Sequence, residues 1–102
     1  RGEQAAWKSS KKSPRRAHVA AKHRVIMVFG DNFGDFVDGY KGDMAARQAL
    51  YEKHADMWGR KWFMLANPTY GSWESAAFGH DWRKPGPERR QMKRDALEAW
   101  QP

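Results

Sequence analysis

Two carboxylates four residues apart, Asp31 and Asp35, lie in Gly30-Asp31-Asn32-Phe33-Gly34-Asp35-Phe36, directly after the apolar run Val25-Ile26-Met27-Val28-Phe29. Gly, Asp and Asn favour a turn, and a turn here lets both side chains point toward one centre. Hard oxygen donors of this kind suit Mg²⁺, which takes one or two carboxylates and keeps water or phosphate in its other positions. The same residues also make an ordinary Asp-Asn turn with Asp35 as a helix cap, so spacing leaves both readings open. Upstream, Lys11 and Lys12 could supply a compact positive charge to a phosphate or a carboxylate nucleophile. Pattern does not choose between them, and a solvated basic turn looks the same. Downstream, in Asn67-Pro68-Thr69-Tyr70-Gly71-Ser72-Trp73-Glu74, Tyr70 and Trp73 could stack on a flat substrate, and Gly71 permits close backbone approach. A packed turn covering the core explains that loop equally well. His18, His23, His54 and His80 show no metal-like spacing, and no Ser has an evident local His partner.

These residues need elements to hold them. Residues 1–12 show no apolar period and read as loop or frayed terminus. Ser13-Pro14 is a helix start, with Ser as the cap and Pro at the first helical position, and predicts a helix over 14–22. The apolar run 25–29 is short and β-branched, as expected of a strand buried on both faces of a parallel sheet. A second helix is predicted over 43–58, capped by Asp43, striped by Met44, Ala45, Leu50, Ala55 and Trp58, and closed by Gly59. Trp62-Phe63-Met64-Leu65 reads as a second strand, and a last helix is predicted over 87–100 after Pro85-Gly86-Pro87. This order implies a layered α/β fold with a parallel sheet. Ligands of such sheets bind beyond the carboxyl ends of the strands, where Asp31 and the 67–74 loop would both project.

Composition narrows the function classes. The chain has 102 residues, six Trp and no Cys, which excludes disulfides and thiolate metal sites. Its longest apolar run is five residues, far short of the roughly 20 that span a bilayer. Residues 1–24 hold eight basic side chains and one acidic, whereas the other 78 residues are balanced at eleven of each. A basic arm on a neutral body could contact nucleic acid or anionic lipid, and could equally be a solvated helix with its lead-in. The six Trp are spread too widely for one stacking platform and read as core or cover.

Taken together, the motifs resemble a known family. Gly30-Asp31-Asn32-Phe33-Gly34-Asp35-Phe36 is similar to the fourth motif of the haloacid dehalogenase (HAD) superfamily. With Lys12-Ser13-Pro14-Arg15-Arg16 upstream and Leu65 to Glu74 downstream, the chain resembles the C-terminal half of the class C acid phosphatases (subfamily IIIB), a group that includes bacterial lipoprotein 5′-nucleotidases. The resemblance runs from about Lys11 to Trp100. It implies a partial HAD-like, Rossmann-like three-layer α/β fold with a parallel sheet, residues 1–102 being the C-terminal portion of one domain. It also implies a Mg²⁺-dependent acid phosphatase that hydrolyses phosphomonoesters, nucleoside 5′-monophosphates among them, through an aspartyl-phosphate.

By the same resemblance, Asp31 is the direct metal ligand and Asp35 supports it through water or neighbouring hydrogen bonds. Lys12 steadies the phosphoryl group and the nucleophile, while Asn32 and Tyr70 contact substrate, Tyr70 by stacking on the base. Members often carry an acidic residue before the motif lysine, where this chain has Lys11. The family's Asp-x-Asp nucleophile motif is not found, and no Asp precedes Asp31. The expectation is therefore a chain inactive alone, whose partner is the missing N-terminal half of its own domain. The relatives are exported to the bacterial periplasm or tethered to the outer membrane. A nucleic-acid-binding module using the basic segment, or a non-catalytic paralogue, are the alternatives.

Overall fold

The computed structural model describes residues 4, 7 and 9–98. In chain order the elements are α1 (Ser13–Ala20), β1 (Val28–Gly30), a 3-10 turn (Phe33–Asp35), α2 (Met44–Lys53), β2 (Trp62–Met64), α3 (Ser72–Ala76) and α4 (Gly86–Asp95). β1 and β2 pair in parallel, with Val28 opposite Trp62, Phe29 opposite Phe63 and Gly30 opposite Met64. Parallel neighbours need a crossover, which the 3-10 turn and α2 provide. The result is a partial α/β arrangement around a small parallel sheet.

Several local expectations change. Lys12, not Ser13, occupies the N-cap of α1, and no side chain caps it; Ser13 already lies inside the helix, which ends at Ala20. Trp7 packs edge-on against His18 with ring centroids 5.3 Å apart, and the Arg15 guanidinium lies over its ring. Asp43 does cap α2, accepting from the Ala46 amide at 2.9 Å. However, α2 stops at Lys53, and Trp58 and Gly59 belong to the turn before β2. α4 begins at Gly86 and ends at Asp95, and Trp100 lies outside the described residues.

The largest correction concerns the apolar run. Only Val28 and Phe29 of it enter β1, and Val25, Ile26, Met27 and Phe29 are exposed, Phe29 at 58%. A strand is buried on both faces only when other elements pack over both faces, and among the described residues β1 is packed mainly against β2 and the 3-10 turn. The core comes instead from the segment that turns after β1. Phe33, Phe36 and Val37 are buried, with Val28, Tyr40, Leu50, Trp58 and Trp62 packed on them. Phe36 meets Trp58 edge-on at 5.0 Å and Trp62 at 5.7 Å. A smaller buried group, Ser75, Ala76 and Phe78, lies at the end of α3.

Candidate active site

The turn after β1 is built around one carboxylate. Asn32 caps the 3-10 turn by accepting from the Gly34 amide, and Asp35 reaches back to the Asn32 amide, a reciprocal capping box. Asp35 Oδ2 accepts from the amides of both Asp31 and Asn32 at 3.0 Å, and Oδ1 pairs with Lys12 Nζ. Burial pushes the Asp35 carboxyl up. The Lys12 hydrogen bond, the Asn32 amide, the Lys12 charge and the Asp31 amide outweigh that and hold it below its ordinary value. The carboxylate fits because residue 30 is Gly: a Cβ there would lie 2.5 Å from Asp35 Cβ and 2.6 Å from Oδ2.

Lys12 is thereby distinguished from Lys11. Both precede α1, but it is Lys12 that meets Asp35. Arg16, one turn further along α1, donates to the Asp35 carbonyl at 2.7 Å, so two cations of one helix grip this turn. Arg15 turns the other way, to the carbonyls of Lys11 and Trp7. Three of the basic side chains in residues 1–24 are thus engaged inside the molecule.

Asp31, at the carboxyl end of β1, is exposed. Its Oδ2 accepts from Asn67 Nδ2 at 3.3 Å, and its Oδ1 has no protein donor among the described residues. Asn67 follows β2 and organises its own loop, its Oδ1 accepting from the Thr69 amide and hydroxyl and from the Tyr70 amide. One hydrogen bond thus joins the loops after the two strands. Asn32 Oδ1 makes a second junction by accepting from Ser72 Oγ at 3.1 Å.

A cavity of about 940 Å³ opens between these loops, and Lys12, Asp31, Asn32, Asp35, Tyr70 and Trp82 all border it. The five residues that the family resemblance assigns to the site, Lys12, Asp31, Asn32, Asp35 and Tyr70, therefore border one space. Trp73 does not border it, and Trp82, expected as core or cover, does. The Trp82 ring is held by Phe78, edge-on at 5.0 Å, and by Arg89 over it at 5.1 Å. One Ser–His contact also exists where none was evident. Ser75 Oγ lies 2.7 Å from His80 Nδ1, and His80 Nε2 lies 3.0 Å from the Gly42 carbonyl. A carbonyl can only accept, so Nε2 carries a proton, and with a neutral ring Ser75 donates to Nδ1. Ser75 is buried, and the contact ties α3 to the loop before α2.

Among the described residues no three His, Cys, Asp or Glu side chains converge as a metal cage. The donors present suit a cation that keeps most of its own water. Asp31 has a free carboxylate oxygen, whereas both oxygens of Asp35 are committed to nitrogen donors. Mg²⁺ is such a cation.

Comparison with known proteins agrees with this architecture. The family model for the HAD superfamily, subfamily IIIB (acid phosphatase), matches residues 1–73, and the chain belongs to that family. Among solved structures it is similar to the class C acid phosphatase from Bacillus anthracis, with 28% identity and a TM-score of 0.71 over 88% of this chain and 38% of that one. The same enzyme with tungstate bound matches with 28% identity and a TM-score of 0.75, over 92% of this chain and 40% of that one. The chain thus spans about two fifths of these structural relatives. No helix among the described residues is long and apolar enough to cross a membrane.

Proposed function

We propose that this chain forms the metal-carboxylate and leaving-group side of a Mg²⁺-dependent acid phosphatase whose nucleophile lies outside these 102 residues. The observation that carries the reading is the cavity at the carboxyl end of the sheet. It collects one carboxylate with an uncommitted oxygen (Asp31), one carboxylate-anchored cation (Lys12) and one exposed aromatic ring (Tyr70). In this reading Asp31 holds Mg²⁺, which supplies charge neutralisation at the phosphoryl oxygens when bound. Asp35 fixes the backbone of Asp31 and holds Lys12 in place. Lys12 offers its remaining N–H donors to the phosphoryl group. Tyr70, 75% exposed, takes the flat part of a phosphomonoester leaving group, such as the base of a nucleoside monophosphate. The phosphoryl group is transferred to an Asp of the preceding segment and then to water.

A second feature supports the division of the domain. A groove of about 1340 Å³ runs along α1 and β1, lined by apolar side chains including Val19, Val25, Met27, Phe29 and Leu65. The preceding segment of the same domain would cover this face and bring its Asp-x-Asp to the edge of the sheet. The inward engagement of Lys12, Arg15 and Arg16 leaves less of a basic arm for nucleic acid.

Assay of p-nitrophenyl phosphate and AMP with Mg²⁺ tests the proposal. The chain alone should show no turnover. Joined to a preceding Asp-x-Asp segment it should turn over, and Asp31→Asn or Lys12→Ala should abolish that. Turnover by the chain alone that disappears in Asp31→Asn overturns the division.

A further inference from the structure

One charged side chain near the cavity is not accounted for by these roles. Arg47, half-buried on α2, donates through Nη1 to the Tyr40 carbonyl at 2.6 Å and to Ser72 Oγ at 3.1 Å, with its guanidinium over the Phe33 ring at 5.2 Å. A guanidinium has donors only, so Ser72 Oγ must accept from it. The Ser72 hydroxyl proton is then directed onward, and it goes to Asn32 Oδ1 at 3.1 Å. That oxygen also accepts from the Gly34 amide at 3.1 Å. With Oδ1 facing two donors, the Asn32 carboxamide has one permitted orientation. A flipped amide would set its N–H₂ against the Gly34 N–H, and two donors would then face each other.

The consequence falls on Asn32 Nδ2. It has no acceptor among the described residues and is not buried, and Asn32 borders the cavity. The approach of Gly71 leaves no latitude on that side, since a Cβ at residue 71 would lie 2.9 Å from Nδ2. We infer that Arg47, acting through Ser72, is a positioning residue that locks the Asn32 carboxamide with its N–H donors toward the cavity, where they take an oxygen of the bound phosphoryl group. The inference rests on the phosphatase reading for the identity of that oxyanion. The carboxamide orientation is set by the Gly34 N–H, which can only donate, and the Ser72 hydroxyl adds a second donor to the same oxygen.

The test is an NMR titration of the ¹⁵N-labelled chain with orthophosphate and with tungstate, following the Asn32 side-chain amide pair and the Lys12 Nζ protons. In the wild-type chain both signals should move together. Ser72→Ala keeps the Arg47–Tyr40 contact but removes the hydroxyl. It should retain the circular dichroism spectrum, lose the Asn32 response and weaken anion binding about three- to tenfold. Ser72→Thr, which restores a hydroxyl, should recover both, and Arg47→Lys should behave like Ser72→Ala. Wild-type-like binding and Asn32 shifts in Ser72→Ala overturn the inference. Movement of Lys12 without Asn32 in the wild-type chain overturns it too, and leaves the phosphatase reading standing. If neither moves, the inference falls, and the phosphatase reading is then judged by turnover of the chain joined to its preceding segment.

Discussion

Lys12 Nζ and Asp35 Oδ1 form an ion pair across 23 positions of sequence, between the residue that opens α1 and the 3-10 turn that follows β1. The partners differ sharply in environment, the Lys12 side chain being 55% exposed and that of Asp35 only 9%. The carboxylate is the fixed member, held by the amides of Asp31 and Asn32, and the lysine comes to it.

A first prediction concerns acid stability. The folded Asp35 carboxyl lies below its ordinary value, so the unfolded chain binds its proton first as pH falls. The contribution of Asp35 is therefore fully present above an unfolded value of about 3.9 and is lost as pH drops through the lower folded value. Asp35→Asn, which leaves two amides and Lys12 without the charge they face, should cost about 1–3 kcal/mol at neutral pH. Urea denaturation of both chains from pH 3 to pH 7 should show this difference shrinking toward the acid end.

Gly30→Ala should have a related effect by a steric route. The added methyl would overlap Asp35 and displace its carboxylate from the Asp31 and Asn32 amides. We expect about 1–3 kcal/mol of destabilisation, with faster hydrogen exchange at those two amides as the local readout.

Metal binding should separate the two carboxylates. Asp31 is exposed, so Asp31→Asn should change stability by no more than about 0.5 kcal/mol. Calorimetric titration with Mg²⁺ should nevertheless show its binding lost in that variant. Unchanged Mg²⁺ affinity would move the ligand role away from Asp31.

The aromatic core is thin, and its centre should be costly to remove. Phe36 is 4% exposed and touches both Trp58 and Trp62. Phe36→Ala should lose about 3–5 kcal/mol, read as a lower denaturant midpoint and a red-shifted Trp emission.

Tyr70→Ala should leave stability within about 0.5 kcal/mol, because the ring is largely in water. AMP affinity should drop about fivefold or more through lost stacking, while orthophosphate affinity stays unchanged. Equal losses for both ligands would remove Tyr70 from leaving-group recognition.

Much of this organisation could be read from residue type and spacing. The two strands and Asp43 as a cap follow from local chemistry, and Asp31 and Tyr70 fall at the loops expected of parallel strands. What escaped depends on partners distant in sequence. The run 25–29 has the composition of a buried strand, but burial requires neighbours that composition cannot supply. Phe33 and Phe36 sit in a polar, glycine-containing turn and become core only because Trp58 and Trp62 fold over them. Arg47 carries no local signal, since its meaning lies in Ser72, 25 residues later. Asn67 was more accessible: an Asn two residues before Thr69 is an Asx-turn pattern, and that turn aims its amide at Asp31.

The three-residue register of β1 on β2 works as a ruler. It is read at its ends by the Val28 amide on the Lys61 carbonyl and the Leu65 amide on the Gly30 carbonyl. A slip of one residue would turn Trp62 away from the core. A slip of two would preserve the facing but carry Asn67 about 6.6 Å along the strand, beyond reach of Asp31. The spacing between the loop after β1 and the loop after β2 is therefore quantised by the pleat, and strands paired in any other frame would part Asp31 from Asn67.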